Sequence, residues 1–210
     1  MSDFGIDPFA PSPARSVPID VYTSAYRVSG QIATRFSRVG DIVNQVTSSH
    51  LVIEQATITE YADPAASLGA QQVLVSLDEV LFVVTDATDR DARPEMRIPK
   101  RPVRAQLAVP PFRLTGSVHV THGSRPVDSI LNAADRFMPM TQVTVISGAH
   151  PDLGRTAEAV AIQRRLAHLI LVPDEDRPDE LLAEVLDRDT AERWLEGEPE
   201  AEEAGGALGG

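Results

Sequence analysis

The sequence repeats itself, and this repeat constrains the possible folds more than any other feature. Residues 17–86 match residues 101–173 in the order and type of their side chains when Gly30 is aligned with Gly116. The matched pairs include Tyr26 with Phe112, Arg27 with Arg113, Val28 with Leu114, Ile32 with Val118, Asp41 with Asp128 and Asn44 with Asn132. Self-similarity at a fixed spacing is typical of repeated structural units. The chain is therefore predicted to contain two tandem homologous modules.

Each module starts with a pattern typical of a β-hairpin. Apolar and polar residues alternate around Ile19 and Val21, and again over 103–109, as they do in a half-buried strand. A second alternating stretch follows in each module, with Gly30 or Gly116 near its middle. A glycine inside a strand indicates a bulge or the close approach of another backbone.

The remainder of each module is predicted to form one short helix and three strands. Asp41 and Asp128 lie near the start of a helix of about two or three turns, where a carboxylate favours the helix N-terminus. A third strand, a glycine-containing loop and two closing strands follow; the strands are expected over 51–60, 73–75 and 80–84 in the first module and over 138–147, 160–162 and 169–172 in the second. The run 80–84 is apolar on both faces, so it is expected to be central or covered.

The predicted fold class is α+β, with each module ordered strand, strand, short helix and three strands. Two arrangements fit this order: an open, β-grasp-like sheet crossed by the helix, or a small closed barrel. The modules either pack together or are strung on the segment between them. The sequence does not distinguish these arrangements.

Three segments lie outside the modules. Residues 1–16 are expected to be a disordered arm, because they hold three prolines and no periodicity, and residues 87–100 form a charged linker. Residues 174–210 carry 14 acidic and 3 basic residues, whereas the rest of the chain is nearly neutral. Within this tail, residues 177–196 are predicted to form an acidic amphipathic helix, which a flexible glycine-rich end follows.

Composition narrows the classes of function. The chain has no cysteine, which excludes disulfides and thiol chemistry. No apolar run reaches the roughly 20 residues of a membrane-spanning helix, and the start of the sequence lacks the basic and apolar pattern of a secretion signal. We therefore expect a cytoplasmic protein without membrane insertion. The net charge of −12 disfavours nucleic acid as the main partner.

The sequence contains no motif that indicates catalysis. His119 and His122 are three residues apart on or just after a strand, where side chains alternate between faces, so surface histidines are favoured over metal ligands. No phosphate-binding loop, nucleophile elbow or zinc-protease motif is present. No catalytic residue, cofactor or metal site is therefore predicted, and the chain is not expected to be an enzyme.

A few polar positions are kept in both modules. Arg27 and Arg113 each precede a glycine by three residues, and Asp41 and Asp128 each precede an apolar stretch. A shared binding site would explain this, and so would a shared structural role. The structural role is favoured, because an aspartate near a helix start stabilises the helix without any ligand.

The second module contains a distinctive series of residues within about 103–147. The series is Phe112-Arg113-Leu114-Thr115-Gly116, then His119, Asp128 and Leu131-Asn132, then Phe137-Met138-Pro139-Met140-Thr141. This pattern resembles an uncharacterised bacterial family of small β-rich domains. The resemblance implies a module of this kind and no particular activity. The first module follows the pattern more loosely and lacks its Phe-x-Pro-x-Thr part.

The expected function is that of a non-enzymatic cytoplasmic adaptor or scaffold that binds protein partners. The predicted tail helix would offer an apolar docking face formed by Leu181, Leu182, Val185, Leu186, Trp194 and Leu195. One alternative is a sensor of a small ligand or anion with paired sites, one in each module. Another is a ubiquitin-like modifier that uses the C-terminal Gly209-Gly210. A homo-oligomer is compatible with each of these functions.

Overall fold

The computed structural model describes residues 14–85, here the first half, and residues 100–172, here the second half. The first half contains β1 (Arg15–Tyr22), β2 (Tyr26–Thr34), α1 (Val39–Asn44), β3 (His50–Glu60), β4 (Ser67–Ser76) and β5 (Phe82–Val84). Strand β3 shows the alternation that one covered face requires, since Leu51 and Ile53 are buried and Val52 between them is exposed.

The second half contains β6 (Lys100–Val109), β7 (Phe112–Thr121), α2 (Pro126–Leu131), β8 (Phe137–Ile146), β9 (Arg155–Gln163) and β10 (Leu169–Leu171). The prediction of a β-rich α+β fold is confirmed at this level, because strands dominate and both described α-helices are short. Neither helix of the two halves is long and apolar enough to cross a membrane.

All ten strands belong to one antiparallel sheet with the order β10-β6-β7-β8-β9-β5-β1-β2-β3-β4. Each half contributes five neighbouring strands in the same relative order, because β5 pairs with β1 as β10 pairs with β6. The strand registers match Gly30 with Gly116 and, further along, Leu74 with Ala161. Within the described part of the chain the sheet is open, and β4 and β10 are its outer strands.

The two halves meet where β5 pairs with β9, which we call the junction. The pairs are Phe82 with Ile162, Val83 with Ala161, and Val84 with Val160. Phe82 and Val84 enter the core of the second half, whereas Ala161 packs in the core of the first half. Each half thus completes the core of the other. The expectation that the run 80–84 is central or covered is confirmed, since all five of its side chains are buried.

Aromatic packing and a helix contact extend the junction. The ring of Phe82 stacks on Tyr22 with the centroids 4.4 Å apart, and meets the ring of Phe112 edge-on at 5.1 Å. On the other side, Asn44 at the end of α1 donates its Nδ2 to the carbonyl of Phe137 and accepts the Phe137 N–H at Oδ1, both at 2.9 Å. Helix α1 is thereby tied to β8 of the second half.

The mid-strand glycines lie at a β-bulge in each half, as their position in the pattern predicted. The register of β2 against β3 shifts at Gly30, and the register of β7 against β8 shifts at Gly116. Opposite them, Gln55 and Gln142 have φ values of 48° and 52°. A Cβ on Gly30 would lie 2.6 Å from the Glu54 carbonyl oxygen, so only glycine fits without displacement of the backbone.

Several element boundaries differ from the expected ones. Strand β4 begins at Ser67 and includes Gly69, where the sequence predicted a loop. Strand β1 begins at Arg15, inside the expected disordered arm. Both helices have six residues, and α1 ends at Asn44 whereas α2 ends at Leu131, one residue before Asn132. Asn44 therefore corresponds to Leu131, and the predicted alignment of Asn44 with Asn132 was wrong. Local alternation does not fix strand ends, because pairing with a neighbouring strand extends or shortens them.

Candidate functional site

Exposed large apolar side chains are concentrated at the two outer ends of the sheet. Those at the first end, the β4 end, are Val52, Leu68 and Leu74; those at the second, the β10 end, are Val127, Leu131, Leu169 and Leu171. Among residues 14–85 and 100–172, the remaining member of this class is Tyr26, on the interior strand β2. Contiguous exposed apolar surface on a folded protein marks an interaction site, and an outer strand also presents unpaired backbone groups.

The β10 end combines a strand with a helix. Arg164, five residues before β10, donates to the backbone carbonyls of Ile130 and Leu131 at the end of α2 and to those of Ala133 and Asp135 beyond it. These bonds hold the helix end beside the segment that leads into β10. The bonds thereby place the end of α2 at the same end of the sheet as β10.

A polar cluster lies at the junction and is formed by both halves. Asp20 on β1 accepts a hydrogen bond from Ser29 at 2.5 Å and from Arg27 at 3.0 Å, both at Oδ1. Its Oδ2 accepts from Arg155 Nη1 on β9 at 2.6 Å, and the same nitrogen lies 3.3 Å from the Tyr22 hydroxyl. The side chain of Asp20 is mostly buried, and the guanidinium groups of Arg27 and Arg155 both form ion pairs with it. The cluster therefore acts as a bond between the halves.

The ionisation of Asp20 reflects this environment. Burial alone would raise the pKa of the Asp20 carboxyl, but the hydrogen bonds from Ser29 and Arg155 and the charge of Arg27 outweigh it. The pKa of Asp20 is therefore lowered from its ordinary value of 3.8. A carboxyl whose pKa is depressed by folding stabilises the folded state above the unfolded pKa, and this contribution is lost as the pH falls through the folded pKa.

The substitution Asp20→Asn is expected to lower the free energy of unfolding near pH 7 by about 1–3 kcal/mol, because it leaves two guanidinium groups without their carboxylate. The difference from the unaltered protein should shrink as the pH falls from 3.8, the ordinary pKa of the group, through the lowered pKa of the native carboxyl. Urea unfolding at stepped pH measures both effects. In the control Asp78→Asn, which removes an exposed ion-pair partner of Arg136 and Arg165, the loss should stay below about 1 kcal/mol. A difference independent of pH would refute the role of Asp20.

The repeated polar positions do not form equivalent sites in the two halves. Arg27 is bound to Asp20, but the position that corresponds to Asp20 in the second half is Gln106, beside a half-buried Arg113. Asp41 and Asp128 are exposed in the first turns of the two helices. These residues share a place in the fold, but they do not share an environment.

A groove of about 420 Å³ separates α2 from β7 and β8. His119 on its wall shares a hydrogen bond of 2.8 Å with Thr141, and the pKa of His119 is lowered by burial and by the charge of Lys100. Arg164, which also borders the groove, is bound to backbone carbonyls. The groove walls are thus bonded to one another. In the two described halves no group of three His, Cys, Asp or Glu side chains is placed to hold a metal ion.

Some predicted features lie outside the described residues. These are most of the N-terminal arm, nearly all of the linker 87–100, the proposed docking face (Leu181, Leu182, Val185, Leu186, Trp194 and Leu195) and Gly209-Gly210. The acidic tail helix therefore stays a prediction.

The sequence pattern did not single out the residues that distinguish this structure. Leu74 and Leu169 read as ordinary strand residues in apolar runs, and only the strand order shows that they lie at open ends. Asp20 and Arg155 are 135 residues apart and carry no motif that would link them. A charged residue in an otherwise alternating strand is the one available signal for Asp20.

Comparisons with protein-family models, with curated proteins and with solved structures gave no match to this chain. The resemblance of the second half to a family of small β-rich domains therefore stays an expectation from its residues.

Proposed function

We propose that this chain is a non-enzymatic scaffold protein that binds protein partners through the two open ends of its sheet. The observation that carries the proposal is the concentration of exposed apolar side chains at the β4 and β10 ends; among the described residues, Tyr26 on β2 is the member of this class away from both ends. A partner binds an outer strand by adding a further strand to the sheet, and the apolar side chains beside the outer strand supply affinity.

The polar side chains of the two halves make bonds within the protein, and this supports a structural role for them. Asp20, Arg27 and Arg155 satisfy one another at the junction, and Arg164 binds carbonyls beside the helix end. Paired ligand sites, the sensor alternative, would need similar polar groups in both halves, but Gln106 stands where the first half has Asp20. The proposal therefore favours a scaffold over a sensor.

The finer organisation belongs to the same proposal. The chain is a tandem duplication of a five-stranded module, followed by an acidic amphipathic helix, and it acts in the cytoplasm. The equal strand order of the two halves and the bulge at Gly30 and Gly116 support the duplication. The tail helix is a further docking element in this proposal, and its support is the spacing of its apolar residues alone.

Site-specific photocrosslinking in the native cells tests the use of the ends. A p-benzoylphenylalanine placed at Leu74 or at Leu169 is expected to form covalent adducts with protein, because both positions lie at open ends. The same group at Tyr26 is the matched control, since that exposed aromatic lies on an interior strand. Mass spectrometry identifies the protein joined. Adducts of equal yield at all three positions, or none at the two ends, would refute the proposal.

A further inference from the structure

The junction within the chain indicates which kind of surface the open ends would contact. The first half gives its last strand, β5, and the second half gives β9. The corresponding strand of the second half is β10, and the strand that corresponds to β9 in the first half is β4. These two strands are the outer ones. The strands that would build a second junction of the same kind are therefore both present, and neither has a further neighbour among residues 14–85 and 100–172.

The side chains that cross the junction have exposed apolar counterparts at the ends. Phe82 and Val84, which enter the core of the other half, are 0% and 1% exposed, and their counterparts Leu169 and Leu171 are 60% and 47% exposed. Ala161 is 0% exposed, and its counterpart Leu74 is 66% exposed. Residues of the type that complete a neighbouring core are thus present at both ends, in positions where the described chain supplies no core for them.

The helix contact at the junction follows the same rule. Helix α1 lies against β8, with Gly40 beside Pro139. The counterpart of Gly40 is Val127 on α2, and that of Pro139 is Val52 on β3; both valines are exposed. The apolar residues of α2 and of β3 are therefore matched to each other across the two ends.

Charge is compatible with such a contact. At the junction Asp78, in the turn before β5, binds Arg165, in the segment before β10, at 2.9 Å. These two residues occupy corresponding positions in the halves. A second junction would therefore place Arg165 of one chain near Asp78 of another, and the two charges would again be of opposite sign. The counterparts of Asp20 and Arg155 are Gln106 and Leu68, so neither of these two positions would bury a charge there.

We propose that the partner at the open ends is a second copy of this chain, bound head to tail so that β10 of one copy pairs antiparallel with β4 of the next and continues the ten-stranded sheet. This inference rests on the proposed function and names its partner. A head-to-tail contact uses two different surfaces, so it propagates into a ring if the rotation between copies closes and into an open filament if it does not. The duplication explains why one chain carries both surfaces.

The register of the junction predicts a specific cross-link. Val83 lies opposite Ala161, so Ile170 of one copy should lie opposite Leu74 of the next. Opposed side chains of antiparallel strands have Cβ atoms about 4.5–5.5 Å apart, which a disulfide closes with a small shift. The chain contains no cysteine, so introduced thiols have no competitor. Full-length Leu74→Cys and Ile170→Cys proteins are therefore mixed, oxidised and separated without reductant.

The mixture is expected to give a two-chain adduct that neither variant gives alone. Leu74→Cys mixed with Thr57→Cys, an exposed position on the interior strand β3, is the control and should give none. Absence of the mixed adduct, or an equal yield from Leu74→Cys alone, would overturn the head-to-tail pairing. If photocrosslinks at Leu74 and Leu169 then led only to a different protein, the scaffold function would stand and self-assembly would fall.

Discussion

Replacing Phe82 with alanine is expected to lower the free energy of unfolding by about 3–5 kcal/mol, the usual cost of removing a buried phenylalanine ring. The side chain is fully buried in the core of the second half although its strand belongs to the first. The substitution removes the stack on Tyr22 and the edge contact with Phe112, and it leaves a cavity where the two halves meet. Because the junction completes both cores, both halves should lose stability together.

Urea unfolding and amide hydrogen exchange measure these effects. Protection of the amides of Ile53 in the first half and of Met140 in the second should fall together in Phe82→Ala. Tyr26→Ala is the matched control, because it removes a ring that is 43% exposed on an interior strand; its cost should stay below about 1 kcal/mol. A loss of protection confined to one half, or equal costs for the two variants, would show that the junction does not couple the halves.

The substitution Gly30→Ala is expected to destabilise the fold by about 1–3 kcal/mol through overpacking. Its new Cβ would lie 2.6 Å from the carbonyl oxygen of Glu54 and 2.6 Å from Cγ2 of Ile53. The carbonyl belongs to the backbone at the bulge, so it cannot turn away as the end of a flexible side chain can. Strand β3 must therefore move away from β2, which weakens the hydrogen bonds between them.

Gly69→Ala provides the control for this substitution in the same sheet. Apart from Gly69 itself and its two chain neighbours, no residue of the two halves has a heavy atom within 4 Å of a Cβ at this position. Alanine there should be neutral or stabilise the protein by about 0.4–1 kcal/mol, because it reduces the freedom of the unfolded chain. Thermal and urea unfolding of the two variants compare the effects. If both substitutions had the same effect, close packing at the bulge would not be the reason for Gly30.

Local patterns predicted much of the sheet and little of its assembly. Alternation identified strands around Ile19 and Val28, a third strand was predicted around Ile53, and the glycine in mid-strand predicted the bulge. These features depend on residues that are close together in the sequence, so the sequence of a single chain is enough to predict them. The short helices after Arg38 and Arg125 were predicted for the same reason, although they are shorter than expected.

The positions of β5 and β10 show why the rest could not be predicted. Their sequences, Phe82-Val83-Val84 and Leu169-Ile170-Leu171, are equally apolar, yet the first lies between two strands and the second at an end of the described sheet. What separates them is a pairing with β9, almost 80 residues away from β5. The bond between Asp20 and Arg155 depends on the same long-range pairing. A local pattern contains no information about it.

Sedimentation equilibrium of the unaltered full-length chain tests most directly whether the open ends repeat the junction. A single chain has a mass of 22.7 kDa. Head-to-tail pairing of β10 with β4 predicts a mass that rises above this value with protein concentration, and that levels off at a whole-number multiple of it if a ring closes. A mass of 22.7 kDa at every concentration up to the solubility limit would contradict it.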